Sequence, residues 1–129
     1  MWYGIAILIG FALVGCYTTP KQKGTWIVEV EKRVFYDSSL EPAECLGATI
    51  VRGPPLREPL PVTVFIVKPD MRCYEPHELD TSLARIKGTI LSDFPIHPRT
   101  GRPVTHRTPD PNEGFSIPWV IRVKELEPL

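Results

Sequence analysis

Proline limits this chain more than any other residue: fifteen of its 129 residues are proline, about 12% against a usual level of about 5%. Proline ends helices, and in sheets it is confined to edges, first positions and bulges. Long helices are therefore excluded over most of the chain, and short strands joined by stiff connections are expected. Four prolines between positions 54 and 61 predict one extended connection, and five between 93 and 114 predict another.

Between the prolines the residues alternate as strands do. Trp26, Val28, Val30, Val34 and Tyr36 share one parity, and Glu29, Glu31 and Arg33 the other, with Lys32 an exception on the apolar side. Ala48-Thr49-Ile50-Val51 predicts a second, shorter strand. Residues 62–67 (VTVFIV) are continuously apolar and rich in β-branched types, which predicts a central strand buried on both faces. Ile86, Gly88 and Ile90 alternate with Arg85, Lys87 and Thr89. Phe115, Ile117, Trp119, Ile121 and Val123 then fall on one face of a terminal strand, which Pro118 assigns to an edge or bulge. Short helical turns are predicted at 76–85, with proline in the first turn, and at 39–46, ended by Gly47. The fold class is mainly β: a small β-barrel or β-sandwich of about five strands with one or two helical turns. Count and spacing do not separate an OB-like barrel from an Ig-like sandwich. A hydrophobic content of 43% over the whole chain is that of an ordinary globular protein, and residues 25–129 are expected to form a single β-rich domain.

The thirty charged residues are unevenly placed, since residues 1–20 hold none of them. Residues 2–17 form an apolar run bracketed by Trp2, Tyr3 and Tyr17. As a helix its sixteen residues would reach about 24 Å, short of the ~30 Å hydrocarbon core and close to a secretory signal in length. The run ends on Leu13-Val14-Gly15-Cys16, which resembles the lipobox of bacterial lipoproteins, where small residues precede a cysteine that receives lipid. That resemblance covers these four residues only, and none extends it into the folded domain. It implies cleavage before Cys16, lipid attachment at Cys16 and a domain on the extracytoplasmic side of the membrane. Signals of that family usually begin with Lys or Arg, whereas the first basic residues here are Lys21, Lys23, Lys32 and Arg33. By the positive-inside rule this asymmetry describes an uncleaved short anchor with the domain in the cytoplasm or matrix, which the bracketing aromatics also fit. On either reading residues 1–17 attach the chain to a membrane, and residues 18–24 are a polar tether.

With Cys16 lipidated, Cys45 and Cys73 remain as an even pair, expected as a disulfide in an oxidising compartment. Their bridge would close a loop of 29 residues, a constraint of roughly 3.5 kcal/mol. The other reading is two buried thiols packing as small hydrophobes. Cys73 and His77 have ligand-like spacing, and Cys45, His97 and His106 could complete a zinc set. The remaining spacings match no zinc module, so no metal is expected. The chain has no CxxCH, Gly-rich phosphate loop, GxSxG or HExxH, and neither a cofactor nor an enzymatic activity is expected. Fifteen Lys and Arg balance fifteen Asp and Glu, which leaves no net field to draw nucleic acid.

The long connection at 93–114 exceeds what a compact domain needs between two strands. It gathers His97, Arg99, Arg102, His106 and Arg107 among its prolines. Arginine offers planar donors to carboxylates, and proline reduces the entropy lost on docking. These five residues are the candidate partner-binding set. The expected function is a membrane-tethered, non-enzymatic accessory or structural subunit of a larger membrane protein complex, docking through its proline-rich loops. Its expected partners are membrane lipid and the other subunits. The alternative is a free-standing extracytoplasmic lipoprotein that binds a ligand in a β-barrel mouth or cleft.

Overall fold

The alternating segments form five strands in the computed structural model, which describes residues 21–37, 39–57, 60–104 and 117–129. Strands β1 (Lys21–Tyr36) and β2 (Pro42–Arg52) make a long antiparallel hairpin. They are followed by β3 (Thr63–Val67), a 3₁₀ turn (Pro76–Glu78), β4 (Leu83–Ser92) and β5 (Trp119–Pro128). The strands pair in the order β1-β2-β3-β5-β4, and β4 pairs back onto β1, so the sheet closes into a ring. Every pairing is antiparallel except β3 with β5. A sandwich has two stacked sheets, whereas these five strands form one sheet that closes on itself.

Alternate residues of β2, β3 and β5 serve two separate cores. Inside the ring lie Trp26, Val28, Leu46, Ala48, Val64, Ile66, Ile86, Ile90 and Ile121. The opposite face of the same strands presents Cys45, Phe65, Val67 and Val120, covered by Phe35, Cys73 and Val104. This double burial is why residues 64–67 are apolar without interruption. Each fully buried aliphatic or aromatic side chain contributes about 1.5–3 kcal/mol. Phe35 meets Phe65 edge-on with ring centroids 4.5 Å apart. Strand β1 thus changes its buried parity along its length, from Trp26 and Val28 inside the ring to Phe35 on the outer face. Lys32 falls where the change occurs, and there it reaches solvent and pairs with Glu44 at 2.9 Å.

The proline-rich connection after β2 is fastened to β1. The Trp26 indole N–H donates to the Pro54 carbonyl (3.1 Å), and the Gln22 amide donates to Pro55 (3.0 Å) while accepting from the Arg57 N–H (2.9 Å). At Gly88 a Cβ would run into the Arg122 carbonyl oxygen. Glycine there allows β4 and β5 to close at the register shift between Lys87 and Gly88.

Element boundaries differ from expectation in several places. Residues 21–24, expected to belong to the polar tether 18–24, are the start of β1 and pair with β4, because the ring-closing register extends to Lys21 opposite Leu91. Residues 39–46 do not form a helical turn: β2 begins at Pro42, because Ala43 and Cys45 face the second core. Of residues 76–85 only Pro76–Glu78 is helical, after which Leu79 enters the ring core and β4 starts at Leu83. The terminal strand starts after Pro118 and runs to Pro128. Ile117 is exposed, and Phe115 lies outside the described residues, as do the apolar run 2–17 and Cys16. Among the described residues no helix is long and apolar enough to cross a membrane.

Candidate functional site

The turn between β1 and β2 and the segment after β4 lock together at one end of the molecule. Asp37, the first residue after β1, is fully buried. Its Oδ1 accepts from the Ser39 N–H (2.8 Å), the Ser39 hydroxyl and the Glu41 N–H (3.2 Å), an Asx-type turn. Its Oδ2 accepts from the Thr100 hydroxyl at 2.8 Å, across 63 positions of sequence. The Ser39 hydroxyl, with the Thr100 hydroxyl and the two N–H groups, holds the carboxyl well below the usual carboxylate range, outweighing burial, which acts the other way. Leu40 completes the turn with φ of 62° and stands exposed at its tip.

Of the long connection at 93–114, the described residues 93–104 pack on the domain. Ile96 bridges both Arg72 and Pro103, and Val104 is buried in the second core. Within this segment His97 has no exposed surface. Its Nδ1 accepts from the Arg99 and Thr100 N–H groups (3.1 and 3.2 Å), which leaves Nε2–H to face the Pro42 carbonyl at 3.3 Å. The Arg99 guanidinium donates to that same carbonyl at 2.7 Å. Gly101, with φ of 72°, closes the loop by donating to the His97 carbonyl at 3.0 Å.

Of the five candidate partner-binding residues, the fold therefore uses His97 internally and leaves Arg99 and Arg102 at the surface. His106 and Arg107 lie outside the described residues. Arg99 borders a groove of about 540 Å³ with Val34, Pro42, Glu44, Pro76 and His77. Val34 is 48% exposed and Leu40 64%. The surface thus combines a fixed arginine with apolar side chains left in solvent.

Two other groupings bear on chemistry. Glu75, His77 and Glu78 bring ligand atoms within 4.8 Å of one another. Glu78, however, accepts from Lys68 Nζ at 2.6 Å and from the Glu75 N–H, so its carboxylate is already engaged. His77 is thus grouped with carboxylates, while Cys73 lies in the second core. The expected disulfide is corrected: Cys45 and Cys73 are free thiols, 2.6 Å apart and fully buried. A hydrogen bond to Cys45 and burial both push the Cys73 thiol up.

Asp37, Pro42 and Thr100 were missed from the sequence. Only the Asp37-Ser38-Ser39 turn chemistry gave a local sign of the first. The other two matter through contacts that no spacing announces. Comparison with family models, with curated proteins and with solved structures finds no match to this chain.

Proposed function

We propose that this chain is a membrane-tethered, non-enzymatic accessory subunit of a larger membrane protein complex. Residues 1–15 act as the signal, the lipid on Cys16 provides attachment once they are removed, and the domain stands on the extracytoplasmic side. Docking uses the surface shared by the β1–β2 turn and the segment that begins at residue 93. The observation that carries this reading is the latch from Asp37 and Pro42 to residues 97–102, which fixes Arg99 beside exposed Val34. Such pre-ordering lowers the entropy lost on association. A ligand-binding reading has less support. In a five-stranded ring of the OB type ligands take the face of strands 2 and 3 together with the loops after strands 1 and 4; here Phe35, Cys73 and Val104 fill that face, which leaves the loops, where a protein partner and a ligand compete as readings.

The test replaces Arg99, Arg102 and Arg107 together by alanine in the full chain and purifies it in mild detergent. Loss of a buried interface charge pair costs about 2–5 kcal/mol, so partner subunits should be lost while the Tm stays near that of the parent. Val34→Asp, a change at an exposed side chain, should do the same. Intact assembly with an intact fold in both variants would overturn the docking surface.

A further inference from the structure

From the charge distribution over the ring we infer that the outer wall where β1, β4 and β5 meet binds the phosphates of anionic lipid headgroups. A groove of about 580 Å³ runs across this wall. Its rim carries Lys23 from β1, Lys87 from β4 and Arg122 and Lys124 from β5, and no carboxylate lines it. Cross-strand register assembles these residues. Lys23 lies opposite Thr89 and Thr89 opposite Arg122, while Lys87 lies opposite Thr25.

Several surface cations of this domain are matched, among them Lys32 with Glu44, Lys68 with Glu78 and Arg85 with Glu127, while Lys21, Arg52, Arg57, Arg99 and Arg102 are scattered elsewhere without an ion pair among the described residues. None of the four groove cations has an ion-pair partner among the described residues. The nearest acid in register is Glu125, opposite Lys87, and both line a neighbouring depression with Arg85 and Glu127, so Lys87 stands at the border between the two. Like charges gathered on adjacent strands repel one another. An external anion relieves that repulsion, and the lining threonines add hydroxyl donors for phosphate oxygens.

Position selects the lipid surface over other polyanions. The charge-free run 1–20 leads directly into β1 at Lys21. From Tyr17 to Lys23 the chain spans at most about 20 Å, so a membrane that holds the chain at Cys16 lies within reach of the groove. The inference rests on that attachment. Each basic side chain near an anionic leaflet adds binding that salt screens.

Full-length protein diluted from detergent into equal amounts of two dye-labelled vesicle populations, separated by flotation, tests it. One population is phosphatidylcholine, the other phosphatidylcholine mixed with phosphatidylglycerol. The expected partition favours the anionic vesicles by roughly tenfold or more at low salt and approaches unity at high salt. Replacing Lys23, Lys87, Arg122 and Lys124 by glutamine should bring the ratio to unity at every salt without reducing total vesicle binding. The Lys87→Gln, Arg122→Gln double variant should fall between, which covers a failure of the fourfold variant to fold. An unchanged ratio in the variants overturns the groove, as does an equal partition of the parent protein. In either case binding to neutral vesicles would still uphold attachment through the N-terminal end of the chain. Binding to neither population overturns both. Displacement from anionic vesicles by dilute glycerol phosphate would mark a small-anion pocket instead, and displacement by a single-stranded oligonucleotide a nucleic-acid groove.

Discussion

The carboxylate of Asp37 is buried yet accepts from four donors, two backbone N–H groups and two hydroxyls. Its folded pKa is depressed, foremost by the Ser39 hydroxyl, while the unfolded value is about 3.9. The linkage sign follows: the stability it contributes is full above pH about 4 and is lost as pH falls toward the folded pKa. Asp37→Asn should therefore lower the Tm at pH 7. The gap between parent and variant should narrow as pH drops below about 4. Calorimetry across that range measures it, and a gap constant with pH would show that charge is irrelevant to the latch. A second feature at this scale is Leu40, held in left-handed backbone geometry while its side chain faces solvent. That conformation costs about 1–2 kcal/mol for a residue with a Cβ, and the apolar tip it presents belongs to the proposed docking surface.

At the scale of elements, strand signals were legible wherever burial follows a period of two. Residues 62–67 announced a strand dry on both faces, and β3 has that property because a second core covers its outside. Trp26 and Val28 likewise predicted the inward face of β1. Residues 39–46 misled because Gly47 and the polar turn residues resemble a helix end. The buried pair Ala43 and Cys45 spans too few positions to show its alternation. Val104 is the element-level closure of the second core, carried there by the segment after β4. Val104→Ala should cost about 2 kcal/mol, from the lost methyl groups and the cavity left behind. It should also speed alkylation of Cys45 and Cys73, which the parent should resist until denatured and then show as two reactive thiols. Urea unfolding and thiol titration read the two effects. Equal alkylation rates in parent and variant would mean that Val104 does not shield the pair.

For the whole molecule, intact mass of the mature chain tests the lipoprotein reading. A chain beginning at Cys16 with added lipid is the expected result. Retention of Met1 without lipid would replace it by the uncleaved anchor, with attachment unchanged. Local order in this protein was fixed by its sequence: proline removed long helices, and period-two alternation placed the strands. Both act over a few neighbouring residues, which is why they can be read without a fold. Strand order and register are different in kind, because they depend on pairings between distant segments. The closed ring, the buried His97 and the Asp37–Thr100 latch all arise at that level. So does the sign of the surface. A chain with equal numbers of acidic and basic residues gives no reason to expect an anion site. Yet closing β4 onto both β1 and β5 brings Lys23, Lys87, Arg122 and Lys124 to one groove. Net charge is a sum over the sequence, whereas the local field depends on distance, and distance is set by the fold.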